Sequence, residues 1–311
     1  MKPALLRVMR ASGVFATFRR ANRHRFLIVT YHRFSRRPSP RFTHAAAFAE
    51  QLQYLRSCYN IVSLSAIEQH LTQGQALPPA AAVITIDDGY HDAYDIAFPI
   101  LRRYSAPATL FAATDFIDRK DWLWTDKLRY VESKTNNCRD GFDALALNES
   151  LKRDSDEAKH KRIADICSAM GVSLPQQPPE DCRAATWDQI REMAAAGVDI
   201  GSHTVTHPIL PHVGDEQLAR ELTESRARLE QELGRAVTSF CYPNGDYDAR
   251  VRNAVAHAGY RIAVTTEHGL NDRRKDPLAL SRVNAEHDLT HFIQNSSGFE
   301  AFKMSLRRRP A

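Results

Sequence analysis

Short runs of β-branched and aliphatic residues recur along the chain, separated by stretches whose apolar positions repeat every three or four residues. The runs are FLIVTYH from Phe26, NIVSL from Asn60, AVITID from Ala82, ATLFAAT from Ala108, VDIGSH from Val198, VTSFCYP from Val237, RIAVTT from Arg261 and LALSRVN from Leu278, and each predicts a strand. Between them AAAFAEQLQYLR, LSAIEQHL, YDIAFPILRRY, WDQIREMAAAG, DEQLARELTESRARLEQELG and YDARVRNAVAHAG carry helical spacing. In the fifth, Leu218, Leu222, Leu229 and Leu233 share one face and Gly234 supplies the stop. Strands alternating with helices predict a parallel α/β sheet, and seven or eight strands favour a closed barrel over an open sheet.

The rhythm breaks between about Phe116 and Ala185. That stretch holds Trp122 and Trp124, a polar helical segment DEAKHKRIADICSAM and the loop LPQQPPEDC, with Trp187 just beyond it. It is expected to be an insertion on the barrel, either part of a cleft or a helical cap. The predicted organisation is a basic amphipathic segment over 1–25, a barrel over 26–297 carrying the insertion at about 116–185, and a basic tail over 298–311.

Composition narrows the picture. With 43% hydrophobic and 25% charged residues the chain is an ordinary globular protein, and no apolar run approaches the ~20 residues of a membrane span. The net charge of +5 is unevenly placed: residues 1–37 contain ten Lys or Arg and no acid, and Lys303, Arg307, Arg308 and Arg309 add four more. Without those two ends the body is net negative, which excludes a broad nucleic-acid face. The N-terminal helix, with Leu5, Leu6, Val8, Met9, Val14 and Phe15 among arginines, is expected either to lie on an anionic membrane surface or to pack against the barrel. ASGVFATFRRANRHR runs directly into arginines, unlike a secretory signal. Cys58, Cys138, Cys167, Cys182 and Cys241 are scattered and odd in number, which suggests neither a disulfide framework nor a zinc knot. The expected location is the cytoplasm, with peripheral attachment at the inner membrane.

Three predicted strands end in groups capable of chemistry. TIDDG sets Asp87 beside Asp88 before Gly89, and adjacent carboxylates repel unless something positive sits between them. IGSHTVTH places His203 and His207 four apart, which lets two imidazoles meet one ion across a helical turn or around a tight loop. CYPNGDYD ends a third. Singly, Asp-Asp-Gly and Pro-Asn-Gly are turns, and a His pair is often structural. Together, at the carboxyl ends of strands where parallel barrels keep their catalytic groups, they point to a metal. One Asp and two His form a three-ligand set with an open position, leaving the other Asp as a base toward water. Successive strand residues face opposite ways, so both carboxylates can serve one site only if the chain bends; Gly89 is expected to supply the bend.

TIDDG, HTVTH and FCYPNG, in this order, resemble the motifs of the polysaccharide deacetylases of NodB-homology type, carbohydrate esterase family four, over about residues 26–290. The resemblance implies an α/β fold, a distorted (β/α)7 TIM-like barrel. It also implies a divalent metal cofactor, zinc before other transition metals. The implied reaction removes N-acetyl groups from N-acetylhexosamine units of a surface polysaccharide or its lipid-linked precursor. It makes Asp87 the general base, Asp88, His203 and His207 the metal ligands, and the backbone N–H of Asn244 the oxyanion donor. Cys241 and Asn244 depart from the Arg and Tyr usual in the third motif, so the Arg that braces the catalytic Asp is missing there. LSR places Arg282 where the family's general-acid His usually stands. The Tyr-His of YHRF is similar to the branch of biofilm poly-N-acetylglucosamine deacetylases, which implies His32 as the acid and leaves Arg282 to orient Asp87. Alternatives on the same residues are an O-acetyl esterase, an amidohydrolase on a non-sugar acylated amine, and a glycan-binding barrel without turnover.

Overall fold

A computed structural model of the chain describes residues 3–135 and 144–307. Lys2, Cys138, Arg308 and Arg309, and the part of the insertion over 136–143, lie outside the described residues.

Seven parallel strands form the centre: β1 (Leu27–Tyr31), β2 (Ala81–Ile86), β3 (Thr109–Ala112), β4 (Asp199–Ser202), β5 (Ser239–Cys241), β6 (Ile262–His268) and β7 (Leu280–Asn284). Each pairs with the next, and β1 pairs with both β2 and β7, which closes the ring. The run NIVSL contributes only Asn60–Ile61, which pair with Ala81 and Ala82 at the start of β2. Because β3 then meets β2 only at Thr85 and Ile86, the barrel is distorted at this seam.

Strand periodicity divides the core into two layers. Leu27, Val29 and Tyr31 of β1 and Ala82, Ile84 and Ile86 of β2 pack outward against the surrounding helices. Ile28, Val83, Phe111, Cys241, Val264 and Leu280 belong to a separate inner cluster. Thr30 and Thr85 continue the inward parity and are buried. Regularity ends between β6 and β7, where the register shifts between Leu280 and Arg282; such an irregularity re-aims a side chain.

The N-terminal segment departs from the expected single helix. It forms α1 (Pro3–Ala11) and α2 (Val14–Ala21), separated at Gly13, whose φ is 79°. Leu6 and Phe15 are buried against Ile293 on the later helix Leu289–Ser296. In the insertion, α3 (Trp124–Lys134) and α4 (Ala144–Leu151) accompany the predicted α5 (Asp156–Ala169). Trp124, Leu128, Val131, Leu151, Ile163 and Cys167 form a satellite core that closes on Ile209 of the barrel. The leucine-striped segment is α6 (Asp215–Leu233), ended by Gly234 in the left-handed region. The stretch read as a tail continues as a helix, α7 (Phe299–Arg307).

Candidate active site

Inward parity along β2 runs Val83, Thr85, Asp87, so Asp87 points into the barrel mouth as the strand ends. Asp88 should by the same rule point outward. Its φ of 77° reverses the chain instead, and Gly89 follows at 91°. The bend therefore begins one residue before the glycine expected to provide it. Gly89 is still required by its own conformation, since a φ of 91° is one that residues with a Cβ rarely adopt.

His203 leaves β4 buried. Its Nδ1 lies 2.8 Å from the Cys241 carbonyl oxygen, which fixes that nitrogen as the donor and turns Nε2 toward Asp88 Oδ1 at 3.4 Å. His207 Nε2 lies 3.5 Å from the same oxygen. The His pair is carried by a tight loop, with Thr204 at φ 70° and His207 at φ 60°. A β-branched residue in that region is strained by roughly 1–3 kcal/mol, and nearby bonds offset it. The backbone N–H groups of Val205 and Thr206 donate to Glu221 Oε2 at 2.8 and 2.9 Å, and Thr206 Oγ1 donates to Oε1 at 2.6 Å.

Asp88, His203 and His207 present one ligand atom each within 4.8 Å of one another. A divalent cation fits this donor set: one carboxylate oxygen and two imidazole Nε2 atoms, with His203 already held by the carbonyl contact metal-binding histidines commonly make. Electrostatics agree. Burial opposes charge on every member, yet hydrogen bonding to His203 and the nearby imidazoles hold Asp88 well below the carboxylate range. Burial also disfavours charged His203, but Cys241, Asp88 and Asp87 prevail and raise it well above the usual imidazole value. Burial and the charge on His203 push His207 down to about 4. The pocket thus accommodates positive charge but not two imidazolium ions.

Beside this set Asp87 is clamped. Arg282, 1% exposed, donates Nη1 to Asp87 Oδ1 at 2.8 Å and Nη2 to Oδ2 at 2.7 Å. It is anchored through Nε to the Thr265 carbonyl at 2.7 Å and through Nη1 to Thr85 Oγ1 at 3.1 Å. Burial alone would raise the Asp87 carboxyl, but Arg282 and then His32 hold it below its ordinary value. Cys241 Sγ sits 3.3 Å from Arg282 Nη2 and 3.6 Å from Asp87 Oδ2. His32 stands at the mouth, half-exposed, with Nε2 3.6 Å from Asp87 Oδ2. Asn244, at φ 58°, completes the rim; its side chain donates to Asp246 and its carbonyl accepts from Thr266 Oγ1.

All seven residues named from the sequence line one cleft of about 570 Å³, together with Trp124, Thr125 and Arg129 from α3. The insertion therefore forms a wall of the cleft. The polysaccharide deacetylase profile matches residues 74–263. The chain belongs to the polysaccharide deacetylase family. Asp87, Asp88, His203, His207 and Asn244 fall within the matched span, whereas His32 and Arg282 lie outside it. YxkH of Bacillus subtilis (strain 168) is 24% identical over 237 residues, 76% of this chain and 61% of YxkH. The poly-β-1,6-N-acetyl-D-glucosamine N-deacetylase of Escherichia coli (strain K12) is 36% identical over 74 residues, 24% of this chain and 11% of that protein. The chain thus spans less than two thirds of either relative. Among solved structures, the Streptococcus pyogenes deacetylase PplD in complex with acetate superposes with a TM-score of 0.63 at 20% identity, over 88% of this chain and 98% of PplD.

Two supports of this site went unnamed in the sequence reading. Glu221 is fully buried and lies on the same face of α6 as Leu218, Leu222 and Leu229; an acid on an apolar helical stripe is the signal that could have found it. The second is a buried network beneath His32. Arg33 Nε donates to Asp92 at 2.7 Å, its guanidinium covers the Tyr90 ring at 3.8 Å, and Tyr90 donates to Asp126 at 2.7 Å. It joins elements far apart in the chain, and no local pattern announces it.

Proposed function

We propose that the protein is a zinc-dependent N-deacetylase acting on N-acetylhexosamine units of a polysaccharide or of its lipid-linked precursor. The observation that carries this reading is the meeting of two imidazole Nε2 atoms on one Asp88 oxygen, 3.4 and 3.5 Å away, beside a second carboxylate kept ionised by Arg282. A divalent cation held by Asp88, His203 and His207 would supply Lewis acidity toward the acetyl carbonyl and increase the acidity of water. Asp87, ionised and immobilised on both oxygens, accepts the proton of the attacking water. Its Oδ2 is the oxygen that faces His32, 3.6 Å away. His32 Nε2 delivers a proton to the departing amine. The Asn244 backbone N–H is the donor assigned to the developing oxyanion. The amide-directed reading draws support from the N-deacetylase named among the relatives.

The test is acetate release from N-acetylglucosamine oligomers by the protein before chelation, after chelation and after zinc is restored. Loss on chelation and recovery with zinc are expected. Activity unaffected by metal removal would refute the metal reading; release from O-acetylated sugars alone would redirect it to an esterase.

A further inference from the structure

We propose that α1, α2 and α7 form a docking face for an anionic lipid surface. Among the described residues the large apolar side chains that stand exposed are Leu5 at 49%, Val8 at 63% and Phe302 at 46%. All three belong to α1 and α7. These helices share a cluster with α2: Phe15 and Phe18 both meet Phe299 edge-on, and Phe18 also meets Phe302. Leu5 and Val8 are three apart and so occupy one face of α1. Leu6 faces the other way and is buried with Phe15 against Ile293 of the helix Leu289–Ser296. The helix is therefore fixed to the protein on one side and apolar on its outer side.

Charge selects the occupant. Arg7, Arg10, Arg20 and Arg23 are exposed on α1, α2 and the turn that follows, and no acid occurs within residues 1–37. Along the described chain, the first arginines to meet a carboxylate are Arg33 and Arg36. The acid on α7, Glu300, is already paired with Lys303. Exposed apolar side chains on helices whose exposed arginines meet no carboxylate match a layer of lipid phosphates, which offers negative charge above hydrocarbon. A second copy of the chain would present the same positive face and be repelled. Among the described residues no helix is long and apolar enough to cross a membrane; the proposed contact is one of partial insertion.

The test is co-sedimentation of the full chain with vesicles of phosphatidylcholine, alone or with about a third phosphatidylglycerol. Binding to the anionic vesicles is expected to be at least about tenfold stronger than to phosphatidylcholine, and to weaken by a similar factor in about 0.5 M salt, where screening is short-ranged. L5Q/V8Q and, separately, R7Q/R20Q/R23Q should each weaken it by about tenfold or more. Both alter exposed side chains, and circular dichroism melting checks that they fold. Wild-type protein that stays in the supernatant, equal binding to both vesicle types, or variants that bind as wild type would overturn the proposal. So would a wild-type dimer, formed without lipid, that L5Q/V8Q dissociates.

Discussion

Replacing Arg282 by Met tests whether the clamp on Asp87 sustains the site. The guanidinium is 1% exposed and makes two charge-assisted bonds to Asp87, at 2.8 and 2.7 Å. Each such bond contributes about 1.5–3 kcal/mol. Met fills much of the same volume but leaves a buried carboxylate unpaired, a change that costs roughly 3–5 kcal/mol when one partner of a buried pair is removed. The penalty has a defined pH dependence. In the wild type the Asp87 pKa is depressed, so its contribution to stability is present above the unfolded carboxylate value and is lost as pH falls through the lower folded value. Without Arg282, burial dominates and the pKa moves above the unfolded value. The variant then loses stability as pH rises through that new value. Urea denaturation of the chelated protein, near pH 4.5 and near pH 7, measures both arms without mass action from metal binding. R282M should cost several-fold more free energy at the higher pH, and Asp87→Asn in the same background should recover most of the loss. The acidic limb of the deacetylation rate should move to higher pH. A penalty below about 1 kcal/mol, or one equal at both pH values, would refute the reasoning.

His32→Ala should lower turnover by about two to four orders of magnitude while zinc affinity by competition with a chelator stays near wild type, because His32 lies beside Asp87 and not among the proposed ligands; near-normal turnover would remove His32 from the mechanism. Since His203 is held above its usual value and His207 is pushed down to about 4 in the metal-free protein, zinc binding near pH 7 should release about one proton, read by calorimetry in buffers of different ionisation enthalpy. Release near zero would contradict the charge assignment. Glu221→Ala should weaken zinc binding by about 10–100-fold, because it frees the Val205 and Thr206 N–H groups that hold the His207 loop; unchanged affinity would show that the loop holds its shape without them.

Much of the fold was legible because strands buried in a barrel are written as compact apolar runs. All eight predicted runs contain an observed strand, and the helical spacing of α6 placed its leucine face toward the barrel. NIVSL shows the limit: a run long enough to read as a strand contributes two paired residues and stays outside the ring. The insertion shows another. The apolar stripe of α3 is narrow, Trp124, Leu128 and Val131, and α4 spans only eight residues, ALALNESL, without a sustained helical repeat.

The candidate site divides along the same line, between what a strand end carries and what the fold brings to it. Asp87 and Asp88 close β2, and His203 and His207 leave β4 at the same end of the barrel, so their convergence could be anticipated from strand-end position and residue order. The arrangement that makes them compatible could not. Whether Asp88 faces the cavity depends on a left-handed residue before Gly89, and a carboxylate in that conformation is a tertiary choice. Arg282 reaches Asp87 from a strand 195 residues away, through a register shift between β6 and β7. The consequence concerns Cys241. It stands where the third motif usually carries an Arg, and its small side chain lies 3.3 Å from Arg282 Nη2. A second guanidinium in that place would bring two cations against one carboxylate and displace the fork that now grips both its oxygens. Cys241 and Arg282 are thus one coupled solution, in which the cation moves to the last strand and the vacated position shrinks to admit it. Cys241→Arg alone should therefore be damaging, and Cys241→Arg with Arg282→His less so, when acetate release and unfolding free energy are compared across the cycle. Additive losses would show that the two positions act independently.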